Sequence, residues 1–226
     1  MQYKGIIFDF NGVLVQDTPL QEKAWKIYAH EHRGNAFDEQ EMKIHVHGRP
    51  NSHTLTYLLG RPLSKSELEE HIQRKESVYR QLCLDLGNQF CLSPGGVPLL
   101  NYLKGHQIPR TIATASEISN LSFFIEHLKL DQWFDVNRIV YDDGTIPGKP
   151  EPDIYLKAAE NIGLNPSECI VVEDSVSGIE AAKRAGIGFI IALGEKTLHG
   201  QLKQLPGVQK VIEVLTAFPK DIVARS

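Results

Sequence analysis

Apolar residues Ile6-Ile7-Phe8 run straight into Asp9, and a turn through Gly12 leads to a second apolar pair, Val13-Leu14. A short apolar run of this kind predicts a buried strand whose carboxyl end presents a carboxylate. Asp17-Thr18-Pro19 then signals a helix start, with Asp17 or Thr18 as the cap and Pro19 in the first turn. From there to about Leu86 the apolar positions keep helical spacing, as at Ala24, Trp25, Ile27 and Tyr28, and no strand pattern interrupts them. The segments Gly48-Arg49-Pro50-Asn51-Ser52 and Gly60-Arg61-Pro62-Leu63-Ser64 divide this stretch into separate helices. Alternation then sets in. Pro94-Gly95-Gly96 opens a helix through Lys104, and Ile108 to Ala113 is a strand ending in Thr114-Ala115-Ser116. Ser119 to Leu128 is helical, Ile139-Val140-Tyr141 a short strand, and Gly148 to Pro152 a loop that starts a helix through Asn161. Cys169 to Val172 is a strand ending in Glu173-Asp174, followed by a helix through Arg184 and a strand from Ile187 to Leu193. Val211-Ile212 and Val214-Leu215 supply a last strand and helix.

Strands alternating with helices predict a parallel sheet covered on both faces. The fold class is therefore α/β: a Rossmann-like, doubly wound parallel sheet core with a small all-helical cap inserted after the first strand. The core takes residues 1–16 and 89–226, and the cap residues 17–88.

Composition narrows the function by exclusion. The 226 residues are 42% hydrophobic with a formal charge of −4 and a sequence pI of about 6.1, ordinary for a globular protein. No Lys/Arg run suggests nucleic acid, and no apolar stretch approaches the ~20 residues that span a bilayer. The N-terminus enters a strand almost at once, which leaves no room for a signal peptide. Cys83, Cys91 and Cys169 have no metal-type spacing, and their odd number favours free thiols in a reducing cytoplasm. A cytoplasmic monomer without nucleic-acid or membrane partners is expected.

Candidate chemistry gathers at the strand ends. Asp9, Thr114, Lys149 and the pair Glu173-Asp174 fall at strand ends or adjoining loops, which a parallel sheet brings to one edge. Carboxylates with a hydroxyl and a lysine suit Mg²⁺ and a phosphate: the ion prefers oxygen ligands, and the lysine offsets the charge between a carboxylate nucleophile and a phosphate dianion.

Four segments in order, Phe8-Asp9-Phe10-Asn11-Gly12, Ala113-Thr114-Ala115-Ser116, Gly148-Lys149-Pro150 and Val172-Glu173-Asp174-Ser175, carry a resemblance that covers essentially the whole chain. So do the flanking Pro94-Gly95, Pro150-Glu151-Pro152-Asp153-Ile154 and Ser177-Gly178-Ile179-Glu180-Ala181-Ala182. The chain resembles the haloacid dehalogenase superfamily, in the helical-cap subgroup near β-phosphoglucomutase and related sugar phosphatases. The resemblance implies that Asp9 is the nucleophile, forming an aspartyl-phosphate. It implies Mg²⁺ held by Asp9, the backbone carbonyl of Asn11 and Asp174, with Glu173 nearby. Thr114 and the backbone N–H of Ala115 would hold the phosphoryl group, and Lys149 would bridge it to Asp9.

Asn11 departs from the family pattern, in which an Asp two residues after the nucleophile protonates the leaving alkoxide and then activates water. An amide cannot give that proton, a contribution of roughly 10²–10⁴-fold. Three readings stay open: a natural variant acting on better leaving groups, a weakened or non-catalytic binding protein, and an engineered Asp-to-Asn change. The dehalogenase and phosphonate-hydrolysing branches also lack that Asp. The former needs no metal, whereas Glu173 and Asp174 keep the metal pattern; for the latter's cap lysine, Lys23 or Lys26 could substitute, although a snorkelling side chain beside Trp25 is the simpler account.

In the mutase, the cap holds the remote phosphate through an arginine followed three residues on by a serine, which Arg49 and Ser52 match; Lys75 is a weaker candidate. Relatives often carry a histidine where Gln21 stands, which weakens the mutase reading. His45 and His47 lack a third partner for zinc and read as solvated, and Asp142-Asp143 reads as an acidic turn. The expected function is a Mg²⁺-dependent phosphatase of a small phosphorylated metabolite. The alternatives are a β-phosphoglucomutase-like phosphomutase and a catalytically weak phospho-ligand binding homologue.

Overall fold

The computed structural model describes residues 2–46 and 49–224, so His47, singled out above, lies outside the described residues. The chain divides into two compact units, Met1–Gln16 with Cys91–Ser226, and Asp17–Phe90.

The first unit is built on a six-stranded sheet: β1 (Gly5–Phe8), β2 (Arg110–Glu117), β3 (Val140–Asp142), β4 (Cys169–Glu173), β5 (Phe189–Leu193) and β6 (Val208–Ile212). Its order is β3-β2-β1-β4-β5-β6, with every neighbouring pair parallel. β1 and β4 are buried at every position, as central strands of a sheet covered on both faces must be. Ile7 packs on one face with Ala113, Val140 and Val171 against Ile154, Tyr155 and Ala158 of the helix Asp153–Asn161 and Ala181-Ala182 of the helix Val176–Arg184. Phe8, pointing the other way, meets the ring of Phe134 edge-on at 6.3 Å, and Phe10 stacks at 4.4 Å on Phe124 of the helix Ile118–Leu128. The chain leaves β1 for strands on one side first (β2, β3) and then the other (β4 to β6). The carboxyl end of β1 is thus the switch point where open α/β sheets place ligands.

Two expectations move by a few residues. β2 starts at Arg110 rather than Ile108 and continues past Ala113 through Thr114 to Glu117, because β3 still pairs with it at Glu117↔Asp142 after a register shift. The last expected helix is a short 3₁₀ turn, Leu215–Ala217, and a short helix, His199–Leu202, precedes β6.

The second unit consists of the helices Thr18–Arg33, Asn51–Leu59 and Lys65–Asp85, with a one-turn helix Glu39–Glu41 running into a π-helical turn, Met42–Val46. Trp25, Tyr28, Ala29, Phe37, Met42, Leu55 and Leu58 form its core. Capping boxes at Asp38/Glu41 and Ser64/Glu67 satisfy the first amides of their helices. Asp17 does not cap with its side chain: the buried carboxylate accepts the Tyr79 hydroxyl at 2.5 Å instead, although Pro19 does sit in the first turn. Among the described residues, no helix is long and apolar enough to cross a membrane.

Phe10 lies one residue beyond Asp9, so the ring beneath it supports the active edge. Phe124→Ala should lower unfolding stability by about 3–5 kcal/mol, the range for emptying a buried aromatic site, read from the urea midpoint at unchanged m-value.

Candidate active site

Asp9 follows the last residue of β1 and is still fixed to the sheet, its N–H donating to the carbonyl of Val172 at 3.0 Å. The chain then turns, with Gly12 at φ +81°; a Cβ there would come within 2.0 Å of Asp174 Oδ2. Glycine is required twice over, by the left-handed backbone and by the approach of the carboxylate. From the other side of the sheet's centre, β4 delivers Glu173 and Asp174. Each of Asp9, Glu173 and Asp174 offers an oxygen within 4.8 Å of the others.

Lys149 lies among them. Its Nζ donates to Asp9 Oδ1 at 2.5 Å and to Glu173 Oε2 at 2.7 Å, and stands 5.1 Å from the centre of the Tyr155 ring. Glu173 is saturated: Oε2 also accepts the Tyr155 hydroxyl at 2.5 Å, while Oε1 takes the N–H groups of Asp174 and Ser175 and the Ser175 hydroxyl, each at 3.0 Å. Ser175 in turn caps the next helix through the N–H of Gly178 at 3.0 Å. A Cβ on Gly178 would fall 1.7 Å from Glu173 Oε2, so that helix approaches closely only because the residue is glycine.

Burial works against the Glu173 carboxylate, yet Lys149, Tyr155 and the Ser175 amide hold it below the usual range. Burial likewise opposes the Lys149 charge, and Asp9 and Glu173 nevertheless keep it well above the ordinary lysine value. Asp9 is pushed up to about 7 by burial and by Glu173, with Lys149 pulling the other way. Burial, Glu173 and Asp9 push Asp174 up to about 9. Three carboxylates facing one ammonium leave an excess of negative charge that a divalent cation would neutralise. An all-oxygen donor set of this kind fits a hard ion such as Mg²⁺.

Asn11, two residues past Asp9, is only partly buried. Its Oδ1 accepts the hydroxyl of Ser116 at 2.8 Å and that of Thr114 at 3.4 Å, and the Ser116 N–H donates to Thr114 Oγ1 at 3.1 Å. Thr114 is buried and Ala115, beside it in β2, is exposed. The structure thus brings together Asp9, Asn11, Thr114, Ala115, Lys149, Glu173 and Asp174. Tyr155, Ser116 and Gly178 join them without having been assigned a role from sequence. Ser116 stood inside a motif that could have flagged it; Tyr155 carried only a core periodicity.

Arg49 and Ser52 belong to the helical unit. Both are exposed there, Arg49 Nε donating to the Ile44 carbonyl at 3.1 Å, and Ser52 joining His45, His53 and Tyr57 around a cavity of about 460 Å³. Lys75, named as a weaker candidate, is 2% exposed, with its Nζ paired to Glu76 and lying 4.9 Å from the centre of the Trp25 ring. Gln21 accepts a further hydrogen bond from it at 3.1 Å. Lys23 is exposed and Lys26 partly so. Asp142 and Asp143 each fold back on their own turn, accepting the N–H groups of Gly144 and Thr145 at 3.0 and 2.9 Å. The three cysteines are free, Cys83 and Cys169 buried and Cys91 exposed.

A doubly wound parallel core with a carboxylate–lysine–carboxylate cluster at its switch point is the architecture of a Rossmann-like hydrolase. A family model for haloacid dehalogenase-like hydrolases matches residues 3–186, and the chain belongs to that family. It is 31% identical to the phosphorylated carbohydrates phosphatase of Thermotoga maritima over 94% of this chain and 98% of that protein. It is also 31% identical to the β-phosphoglucomutase of Bacillus subtilis, over 85% and 84%. The crystal structure of a family IA, variant 3 hydrolase from Entamoeba histolytica superposes with a TM-score of 0.91 at 35% identity, covering 98% of this chain and 97% of the other.

The raised carboxylates give stability a definite pH dependence. Between about pH 4, where unfolded carboxylates titrate, and about pH 9, Asp9 and Asp174 bind more protons in the folded metal-free chain than in the unfolded one. Its stability should therefore fall as pH rises through that window. Melting temperatures in excess chelator should show the decline, and Asp174→Asn should flatten it; a pH-independent melting temperature would contradict the assigned protonation.

Proposed function

We propose that this chain is a Mg²⁺-dependent phosphatase of small phosphorylated sugars that works through an aspartyl-phosphate at Asp9. The observation that carries the reading is the Lys149 ammonium held between Asp9 and Glu173 at 2.5 and 2.7 Å. A phosphate dianion approaching a carboxylate is repelled, and a fixed cation beside both offsets that repulsion without reorganisation. Asp9 has the role of nucleophile: its oxygen forms a bond to phosphorus, the bond to the sugar oxygen breaks, and water later cleaves the resulting acyl phosphate. Thr114 and the N–H of Ala115 orient the phosphoryl group. Asp9, Asp174 and the Asn11 carbonyl would hold the ion, which when bound neutralises charge on the phosphoryl oxygens. Glu173, with its oxygens occupied by other donors, serves to hold Lys149. The sugar-phosphate class is supported by the names of the relatives, a phosphorylated carbohydrates phosphatase and a β-phosphoglucomutase. In this reading the helical unit selects substrate as a cap, with Arg49 and Ser52 available to a phosphate other than the reacting one. A phosphate-release screen over sugar phosphates tests it. Turnover should require added Mg²⁺ and disappear in Asp174→Ala; undiminished release in excess chelator would overturn the metal assignment.

Asn11 favours a refinement of the same reading. Its amide accepts the Ser116 hydroxyl and has no acidic proton to give a leaving alkoxide. Substrates whose leaving group departs without a proton, acyl and aryl phosphates, should outperform alkyl phosphates. Asn11→Asp should raise turnover of alkyl phosphates by roughly 10²–10⁴-fold, the usual contribution of general acid–base catalysis. Mass spectrometry of the N-terminal peptide should accompany the assay, since Asn11 precedes Gly12 and deamidation would generate the same acid. No gain on any alkyl phosphate, in a folded variant supplied with Mg²⁺, would place the chain with phospho-ligand binding homologues.

A further inference from the structure

The amino-terminal edge of the same sheet, away from Asp9, carries a second concentration of charge. Arg110 opens β2, and Thr114 follows four residues later, about 13 Å along the strand at ~3.3 Å per residue. Beside Arg110 lies a cavity of about 380 Å³, lined among others by Lys104, Gln107, Trp133, Asp135 and Arg138. Three cations thus meet one carboxylate, and that carboxylate is already matched by Arg138, Nε to Oδ2 at 3.2 Å.

Arg110 is the unusual member. It is half-buried, and its Nη1 donates to the Ile108 carbonyl at 2.8 Å. Its Nε is buried without an acceptor, and among the described residues no carboxylate pairs with the guanidinium. Burial alone acts on this group, drawing its pKa below the usual arginine value with no opposing charge to restore it. A partly desolvated guanidinium without a counter-charge is costly, and the Nη2 side of this one, not its buried Nε, is the side open to an anion.

The walls around it are fixed. Trp133 Nε1 donates to Asn101 Oδ1 at 2.6 Å, and the Arg138 carbonyl accepts both Thr111 Oγ1 at 2.7 Å and Asn161 Nδ2 at 3.1 Å. Gln107, at φ +54°, turns the chain just past the helix Gly96–Gly105, its N–H donating to the Lys104 carbonyl at 3.0 Å.

We propose that this cavity is a second anion site, distinct from the carboxylate cluster, that takes a phosphate monoester: Arg110 binds the phosphoryl oxygens and Trp133 offers its indole to the rest of the molecule. A planar guanidinium donates two parallel hydrogen bonds to phosphate, which a lysine does not match. Lys104, whose Nζ donates to the Gln132 carbonyl at 2.7 Å, supplies the remaining positive charge, since Arg138 is matched by Asp135. This edge carries its positive charge without a metal ion, so its binding of phosphate should not need one.

The chain has two tryptophans, Trp25 and Trp133. In Trp25→Phe, Trp133 is the sole emitter, and the titration is run in excess chelator. Inorganic phosphate should change Trp133 emission saturably, and adenosine monophosphate should do so at lower concentration. Arg110→Gln should weaken both by roughly tenfold or more, the loss expected for charge-assisted hydrogen bonds. Lys149→Ala, at the other edge, should leave both intact. The unmodified chain gives an independent reading: phosphate should raise its melting temperature in chelator, and Arg110→Gln should abolish the rise without lowering the unligated melting temperature. A response equal to that of sodium chloride at the same ionic strength, or one lost with Lys149 and kept in Arg110→Gln, would overturn the site. Equal affinity for phosphate and adenosine monophosphate would overturn the part given to Trp133.

Discussion

One ammonium group between two buried carboxylates sets the terms for the whole active edge. Lys149 is a loop residue, and taking its charge out of water costs several kcal/mol unless partners replace the lost hydration. Asp9 and Glu173 provide that replacement, and each then needs donors of its own. Glu173 finds them in Tyr155, the Ser175 hydroxyl and two amides at the start of the following helix. That demand propagates outward. Gly178 must lack a side chain for the helix to reach Glu173, and Gly12 must lack one for Asp174 to close over the first turn. Packing of the helix Asp153–Asn161 against the sheet is also what delivers the Tyr155 hydroxyl.

The result is a separation of roles between chemically similar groups. Glu173 is held ionised by its donors, while Asp9 and Asp174, with burial and mutual repulsion against them, favour the proton in the metal-free protein. Divergent environments acting on neighbouring carboxylates commonly divide an anchor from a reactive or ligand-binding group. Here the anchor is the residue that grips the lysine, and the two groups with unmet charge demand are those at which an incoming cation has most to offset.

Much of this was legible from the chain because the governing patterns are local. A central parallel strand is a continuous apolar run, so β1 and β4 announce themselves, and the polar residue that ends each run lies at the switch point. Helical spacing of Ala24, Trp25, Ile27 and Tyr28 likewise exposed the inserted unit. What sequence hid was partnership at a distance. Asp17 has the look of a helix cap, but its acceptor is used by Tyr79, on a helix that begins many residues later. Tyr155 fits the core period of its helix so well that its hydroxyl passed unnoticed. β2 runs past Ala113 because β3 continues to pair with it, and no local signal marks where such pairing stops. Arg110 reads as an ordinary polar residue inside the expected strand; its lack of a carboxylate partner exists only in three dimensions.

Asn11 shows how the shell around a residue constrains it. Ser116 and Thr114 both aim hydroxyls at its side-chain oxygen, an arrangement that an amide and a carboxylate satisfy equally well. The surrounding structure therefore does not select against the amide, and the local fold persists whether or not a proton is available there. In the reaction proposed above, position 11 bears on the departure of an alkoxide, while the hydrogen bonds of Lys149 to Asp9 and Glu173 do not involve it. On that proposal the amide costs one chemical step and no binding contact, so the leaving group, more than affinity, would sort the substrates.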